Sequence, residues 1–357
     1  GTAGMRHTDV YTIFIHPAEP DCYYLAQTTG LGNGRIVWKT VDCGKCSQSI
    51  FTMHADGGTV NVEQTWLQAD LQWSYIIVPN GFEVLPGATP AEDVVMVSTQ
   101  GELFRSDDGG KNFYAPVYAN RRDEGGLDMH DSIGLEVTSV WGLKEDPFTP
   151  GKLHALYTDV GAGLSLDNGK SWAGVSRTLS WRNTMYGIAF DPDVQGKTWC
   201  ACSRLHDIPH WDFIRNVIGE GAVNISTDGG KTWSLPYAYD APGALPKWTC
   251  CDVVVDPASP VEGRTLYAAM YSIDPYTYEH DGIAEARGND YGGVWKSTDG
   301  GNTWQKKNTG LQTGNLNKHV YRLNLAPSGN LYAMITGANT TEGILDGGIY
   351  VSSDGAE

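Results

Sequence analysis

Two segments of the chain concentrate aromatic rings, carboxylates and imidazoles. They span residues 203–216 and 271–290. Flat aromatic rings stack on the faces of pyranose sugars while polar groups bind the hydroxyls, so the two segments predict a binding site for a polysaccharide or another glycan. The predicted substrate-binding residues are His206, Trp211, Phe213, Tyr271, Tyr276, Tyr278 and His280. The alternative is that these long loops pack their aromatic side chains on themselves.

A repeated turn motif supplies the framework that must position these segments. The motif Ser-x-Asp-x-Gly followed by an aromatic residue is clearest at 226–233, 297–304, 106–113 and 165–172, with degenerate copies at 40–44 and 352–355. Its aspartates are Asp42, Asp108, Asp167, Asp228, Asp299 and Asp354. Six copies at a spacing of roughly 60 residues indicate an internal repeat.

Apolar runs that end at a proline turn recur in phase with this motif. Five of them end at Pro17, Pro147, Pro192, Pro257 and Pro327. Because proline cannot continue a central strand, each marks a strand end. Each unit therefore predicts four antiparallel strands, and the fold class is all-β, a β-propeller of four-stranded antiparallel blades with six repeats visible and the last incomplete.

We expect a single propeller domain over residues 1–357. The blades are predicted at about 6–55, 66–118, 135–177, 183–237, 247–307 and 318–357. The sixth repeat stops inside its turn motif, so we expect either a fragment of a longer chain or an unusual ring closure. In such a blade the proline turns and the Ser-x-Asp turns share one face, which leaves the 2–3 loops to carry the chemistry on the other face.

The turn motifs resemble the Asp-box, or bacterial neuraminidase repeat (BNR), of sialidases, sortilin-type receptors and glycoside hydrolase family 74. A narrower resemblance to family 74 lies in Gly134-Leu-Glu136 and in Asp159-Val-Gly161, although Ala162 departs from that pattern. It implies that Asp159 is a catalytic carboxylate in acid–base hydrolysis of a β-glucan such as xyloglucan. Thr29 stands where the family has a second Asp.

A glycosidase needs a second carboxylate beside the first. The candidate partners of Asp159 are Glu136, Asp207, Asp212 and Asp281. A partner in a second domain, or an inactive site, are the alternatives. The competing function is a non-catalytic extracellular or cell-surface propeller that binds polysaccharide or protein, or a structural part of a larger assembly. A sialidase is disfavoured because no Phe/Tyr-Arg-Ile-Pro motif precedes the first turn motif.

Composition limits the partners. The net charge of −17 disfavours binding to nucleic acid, which requires clustered Lys and Arg. No apolar run approaches the ~20 residues of a membrane span, and we expect no cofactor and no metal site. We expect a secreted protein, extracellular or at the cell surface, whose hypothesised disulfides join Cys22 to Cys43 or Cys46, and Cys200 or Cys202 to Cys250 or Cys251.

Overall fold

The protein is built from antiparallel β-sheets. The computed structural model describes residues 10–27, 37–51, 61–63, 65, 79–99, 102–116, 118–132, 138–208, 220–239, 241–271, 291–311, 319–336, 338–340, 343–345 and 347–356. Its contacts divide the chain into two units, residues 1–137 and residues 138–357. Within the described ranges the only helix is a 3-10 turn at Val261–Gly263. The prediction of an all-β chain with antiparallel sheets is therefore confirmed.

The first unit contains two sheets and a hairpin. Consecutive strands β1 (Val10–Ile15), β2 (Tyr23–Gln27), β3 (Val37–Thr40) and β4 (Gln48–Ser49) form a four-stranded sheet, and β5 (Pro79–Leu85), β6 (Val94–Thr99) and β7 (Leu103–Ser106) form a three-stranded one. The hairpin pairs β8 (Tyr118–Glu124) with β9 (Leu127–Ser132). The repeat pattern did not predict this hairpin. It turns at Gly125 and Gly126, whose φ angles of 62° and 79° suit the tight turn of a two-residue hairpin.

The second unit also consists of antiparallel sheets built from strands that follow one another in order along the chain. Strands β10 (Val140–Glu145), β11 (Leu153–Tyr157), β12 (Ala162–Ser165) and β13 (Ala173–Gly174) form its first sheet, and β14 (Thr184–Phe190), β15 (Thr198–Ser203) and β16 (Gly221–Ser226) form its second. The third sheet contains β17 (Cys250–Val255), β18 (Leu266–Met270), β19 (Gly293–Ser297) and β20 (Gln305–Lys306). The fourth joins β21 (Val320–Leu325), β22 (Leu331–Ile335) and β25 (Gly348–Ser352), with a hairpin of β23 (Ala338–Thr340) and β24 (Gly343–Leu345) between the last two strands.

The Ser-x-Asp turns hold their shape through side-chain hydrogen bonds. In the turn after β16, Ser226 Oγ donates to Asp228 Oδ1 at 2.8 Å and accepts from the Gly230 N–H at 2.8 Å. Asp228 also accepts from the Thr232 N–H at 3.0 Å and from Thr232 Oγ1 at 2.6 Å. A Cβ on Gly230, at φ 83°, would lie 2.4 Å from His154 Cε1, so only glycine fits there.

The aromatic residues Trp304 and Phe113, which end two of the complete motifs, anchor their turns in a core. Trp304 is 3% exposed and packs in a core with Trp199 and Leu266. Its Nε1 donates to Gly301 O at 2.9 Å, inside its own turn. Phe113 anchors its turn in a core of the first unit, where it is 2% exposed and its ring centroid lies 4.9 Å from that of Phe51.

A buried ion pair ties two proline turns of the second unit together. Arg264, 1% exposed, donates from Nη2 to Asp191 Oδ1 at 2.8 Å and from Nε at 3.2 Å. Asp191 follows β14 and is fully buried. The ion pair and its hydrogen bonds offset the free-energy cost of removing the Asp191 carboxylate from water.

Each of the six sheets of three or four strands has a one-residue β-bulge near the start of its first strand. The register of the first strand against the second skips one residue in β1, β5, β10, β14, β17 and β21. The unpaired residues are Tyr11, Asn80, Trp141, Tyr186, Cys251 and Tyr321. A bulge bends its strand and re-aims a side chain, and bulges are common beside functional sites.

The hypothesised disulfides are wrong, because all seven cysteines are free thiols. Cys22 is buried whereas Cys43 and Cys46 are exposed, so these side chains lie in different environments. The other four are fully buried, and burial raises the pKa of each thiol, which keeps it protonated and unreactive. They are Cys200, Cys202, Cys250 and Cys251.

Candidate active site around Asp159 and Asp207

Asp159 lies in a tight turn between β11 and β12. The Tyr157 N–H donates to Gly161 O at 2.8 Å and closes the turn. Asp159 has φ 63° and Gly161 has φ 72°. A Cβ on Gly161 would lie 2.5 Å from Ser176 Oγ and 2.7 Å from Arg182 O, so this glycine is required by close packing. The turn is therefore short and sterically fixed, although the repeat pattern predicted a variable loop there.

The Asp159 carboxyl group is half-buried, and its neighbours act on its pKa in opposite directions. Asn183 Nδ2 donates to Asp159 Oδ1 at 3.2 Å. Burial raises the pKa of Asp159, and the negative charge of Asp207 adds to the rise, whereas His206 and the Asn183 hydrogen bond oppose it. A raised pKa is what a carboxyl group needs to donate a proton near neutral pH.

Asp207 lies in the chain segment that follows β15, and two side chains hold its oxygens. His206 Nδ1 lies 2.7 Å from Asp207 Oδ2. Thr158 Oγ1, next to Asp159 in the chain, donates to Asp207 Oδ1 at 3.5 Å and accepts from Trp141 Nε1 at 2.5 Å. The side chains of His206 and Asp207 are 34% and 27% exposed, so both reach solvent.

These contacts bring together three residues that the sequence predicted as functional, namely Asp159, Asp207 and His206. Both aspartates occupy left-handed backbone, with φ 63° for Asp159 and φ 56° for Asp207. Such conformations cost about 1–3 kcal/mol each and persist only where the surrounding structure holds them. The geometry therefore combines an acidic group of raised pKa with a second carboxylate braced by an imidazole.

The structure places Tyr271 differently from its prediction as a substrate-binding residue. Its side chain is 2% exposed, its hydroxyl lies 2.9 Å from Thr336 Oγ1, and its ring centroid lies 4.8 Å from that of His319. Burial on this scale argues against stacking on a sugar. The other predicted site residues lie outside the described residues: Glu136, Trp211, Asp212, Phe213, Tyr276, Tyr278, His280 and Asp281.

One partly buried carboxyl group of raised pKa was missed at the sequence level. Asp252 follows the bulge of β17 and accepts from the N–H groups of Val253 at 2.9 Å and Leu323 at 3.0 Å. Burial raises its pKa to about 6, against those hydrogen bonds and the positive charge of Arg322. The signal was available, because Asp252 is the one charged residue in the apolar run of β17. No comparable pattern in the sequence marked Thr158, Trp141 or Asn183.

Neither a metal centre nor a membrane helix emerges from the part of the chain that the structure describes. There, no three or more His, Cys, Asp or Glu side chains gather in a way that could hold a metal ion. The same residues include no helix that is long and apolar enough to cross a membrane.

Comparison with known proteins finds similarity to a xyloglucanase over part of the chain. No family profile matches the chain. A xyloglucanase of Hypocrea jecorina (strain QM6a) is 29% identical over 184 residues, which cover 49% of this chain and 18% of that protein. The chain thus matches about a fifth of the length of this relative.

Solved structures with similar features include two GH74 enzymes. The GH74 xyloglucanase from Xanthomonas campestris shares 16% identity at a TM-score of 0.38, over 99% of this chain and 46% of that one. An ancestral GH74 enzyme shares 11% at a TM-score of 0.37, over 96% of this chain and 46% of that one. YCF48 from Cyanidioschyzon merolae shares 14% at a TM-score of 0.26, over 96% and 94%.

Proposed function

We propose that this chain is a secreted, carbohydrate-active β-propeller that hydrolyses a β-glucan backbone such as that of xyloglucan. The observation that carries the proposal is the Asp159 carboxyl group, whose pKa is raised by burial, next to the Asp207–His206 pair. The similarity of one segment to a xyloglucanase supports the choice of substrate. Because the polysaccharide is outside the cell, we also propose that the protein acts there.

The proposed fold is a ring of four-stranded blades closed by Asp-box turns. Three sheets of four consecutive antiparallel strands support it. The shared Ser–Asp hydrogen bonds in the turns of Asp108, Asp167, Asp228 and Asp299 support it further. A crystal structure in which the sheets do not follow one another around a common axis would refute this arrangement.

In the proposed mechanism the two carboxyl groups have opposite tasks. Asp159 donates its proton to the glycosidic oxygen as the bond from that oxygen to the anomeric carbon breaks. Asp207 accepts a proton from the water molecule whose oxygen attacks the anomeric carbon. His206 Nδ1–H donates to Asp207 Oδ2 and orients the carboxylate toward that water.

The test is the release of reducing ends from xyloglucan, mixed-linkage β-glucan and carboxymethyl cellulose. We expect native protein to cleave at least one of them, and Asp159→Asn and Asp207→Asn to lose activity by about 10²–10⁴-fold. Glu262→Gln is the matched control, since Glu262 is an exposed carboxylate in the 3-10 turn of the same unit.

Two outcomes would reject the enzymatic proposal. One is that native protein releases no reducing ends from any of the three substrates. The other is that Asp159→Asn equals native protein in rate. Retardation of the native protein in a polysaccharide-containing gel, without hydrolysis, would instead indicate a non-catalytic binding propeller.

A further inference from the structure

The bulge residues of the second unit meet in one cluster. Tyr186 and Cys251 form its core with Leu205, Ile208 and Tyr271, and Trp141 and Tyr321 pack against it. Leu205 and Ile208 are fully buried, and they flank His206 and Asp207 in the chain. The bulges therefore gather beside the candidate active site.

Tyr186 is the member of this cluster that grips the segment carrying Asp207. Its hydroxyl donates to Leu205 O at 3.0 Å and accepts from the Ile208 N–H at 3.1 Å. The two bonds attach to the residue before His206 and to the residue after Asp207. One hydroxyl thus closes a clamp around these two residues, and it holds Asp207 in its left-handed conformation.

The Tyr186 hydroxyl can hold the loop backbone but cannot contact a substrate. The Tyr186 side chain is 2% exposed, so it cannot touch a substrate. Burial raises the pKa of Tyr186 well above its ordinary value, which keeps the proton in place for donation to Leu205 O. If Tyr186 served only to pack the cluster, phenylalanine would fit equally well, because burying a hydroxyl without hydrogen-bond partners is costly.

We propose that Tyr186 is a positioning residue that holds the His206–Asp207 pair in place for the hydrolysis proposed above, on which this inference rests. The bulge of β14 turns the Tyr186 ring toward the loop, because the register of β14 against β15 skips this residue and a bulge re-aims its side chain. Tyr186 acts through the loop backbone and not on the substrate.

The test substitutes Tyr186→Phe, which keeps the ring and removes only the hydroxyl. The matched control is Tyr237→Phe, a buried tyrosine of the same unit whose hydroxyl accepts from the Val223 N–H at 3.4 Å in another core. Near-ultraviolet circular dichroism checks the fold of both variants. Four quantities are compared: amide hydrogen exchange at Ile208, the ¹⁵N tautomer signature of His206, and kcat and KM on the best substrate.

We expect Tyr186→Phe to speed exchange at Ile208 at least tenfold and to mix the two tautomers of His206. We expect kcat to fall about 10–100-fold with KM unchanged, since small misplacement of a catalytic group has this scale of effect. In an Asp207→Asn background the same substitution should lower kcat no further, because its effect passes through Asp207.

Unchanged exchange and tautomer signals in Tyr186→Phe, or equal changes in Tyr237→Phe, would overturn the clamp. A fall in kcat that persists in the Asp207→Asn background would overturn its route through Asp207. If the exchange and tautomer signals change as expected but native protein hydrolyses nothing, the clamp stands and the proposed function fails.

Discussion

Replacing Asp159 by Asn should slow hydrolysis and stabilise the fold at the same time. Loss of a general acid costs about 10²–10⁴-fold in rate, or about 3–5 kcal/mol of transition-state stabilisation. The folded-state pKa of Asp159 is raised above that of the unfolded chain. Its contribution to stability is therefore complete below the unfolded pKa and is lost as the pH rises through the folded pKa.

Asn cannot ionise, and its amide oxygen can still accept from Asn183 Nδ2. The free energy of unfolding of Asp159→Asn should therefore exceed that of native protein at pH 7, and the difference should vanish near pH 3. Urea unfolding at both pH values measures it, with Glu262→Gln as the control of unchanged stability and activity. A variant less stable than native protein at pH 7 would refute the assigned pKa direction, and a fully active one would refute the role as acid.

Three further predictions concern the framework. Arg264→Ala removes the closer of two cations that pair with buried Asp191, leaving Lys197 Nζ at 3.5 Å, and should cost about 3 kcal/mol in urea unfolding. Arg204→Ala, at a solvent-accessible pair with Glu220, should cost about 1 kcal/mol or less; equal costs would contradict this. The carboxyl carbon of Asp252 should titrate in ¹³C NMR with a pKa of about 6, and a midpoint below about 4, the ordinary value, would disprove its burial. Asp228→Ala removes an acceptor of four hydrogen bonds and should cost about 2–4 kcal/mol at pH 7. The hydrogen bonds of that turn outweigh the effect of burial and lower the pKa of Asp228, so the difference from native protein should shrink as the pH falls through that value, and a difference that does not change between pH 7 and pH 3 would contradict this.

The repeat carried most of what the sequence could predict about the fold. Proline turns marked strand ends because proline lacks an N–H group, and β10, β14 and β17 each end directly before an Asp-Pro pair. Asp159 was predicted from the resemblance of Asp159-Val-Gly161 to family 74, and Asp207 and His206 because they lie in a long segment rich in aromatic rings, carboxylates and imidazoles. The hairpin of β8 and β9 was missed because it is an insertion outside the repeat.

Burial at the strand ends was harder to predict. Every residue of β18 is buried, so its sequence shows no alternation, and nothing marks Tyr271 as an extension of the strand instead of the first loop residue. The bulges also leave no trace in hydrophobicity. Their one signal is positional: each unpaired residue stands six places before a proline, as Trp141 stands before Pro147 and Tyr186 before Pro192.

The bulges have a consequence for how such a chain can diversify after duplication of its repeat. A residue outside the hydrogen-bonded ladder can be exchanged without changing the register of any strand. Across the six sheets this position has become tyrosine three times, and once each tryptophan, asparagine and cysteine. Each copy of the repeat thus contributes one variable side chain while the scaffold is inherited intact, and because these side chains meet in one cluster in the second unit, a change at one position acts on the others.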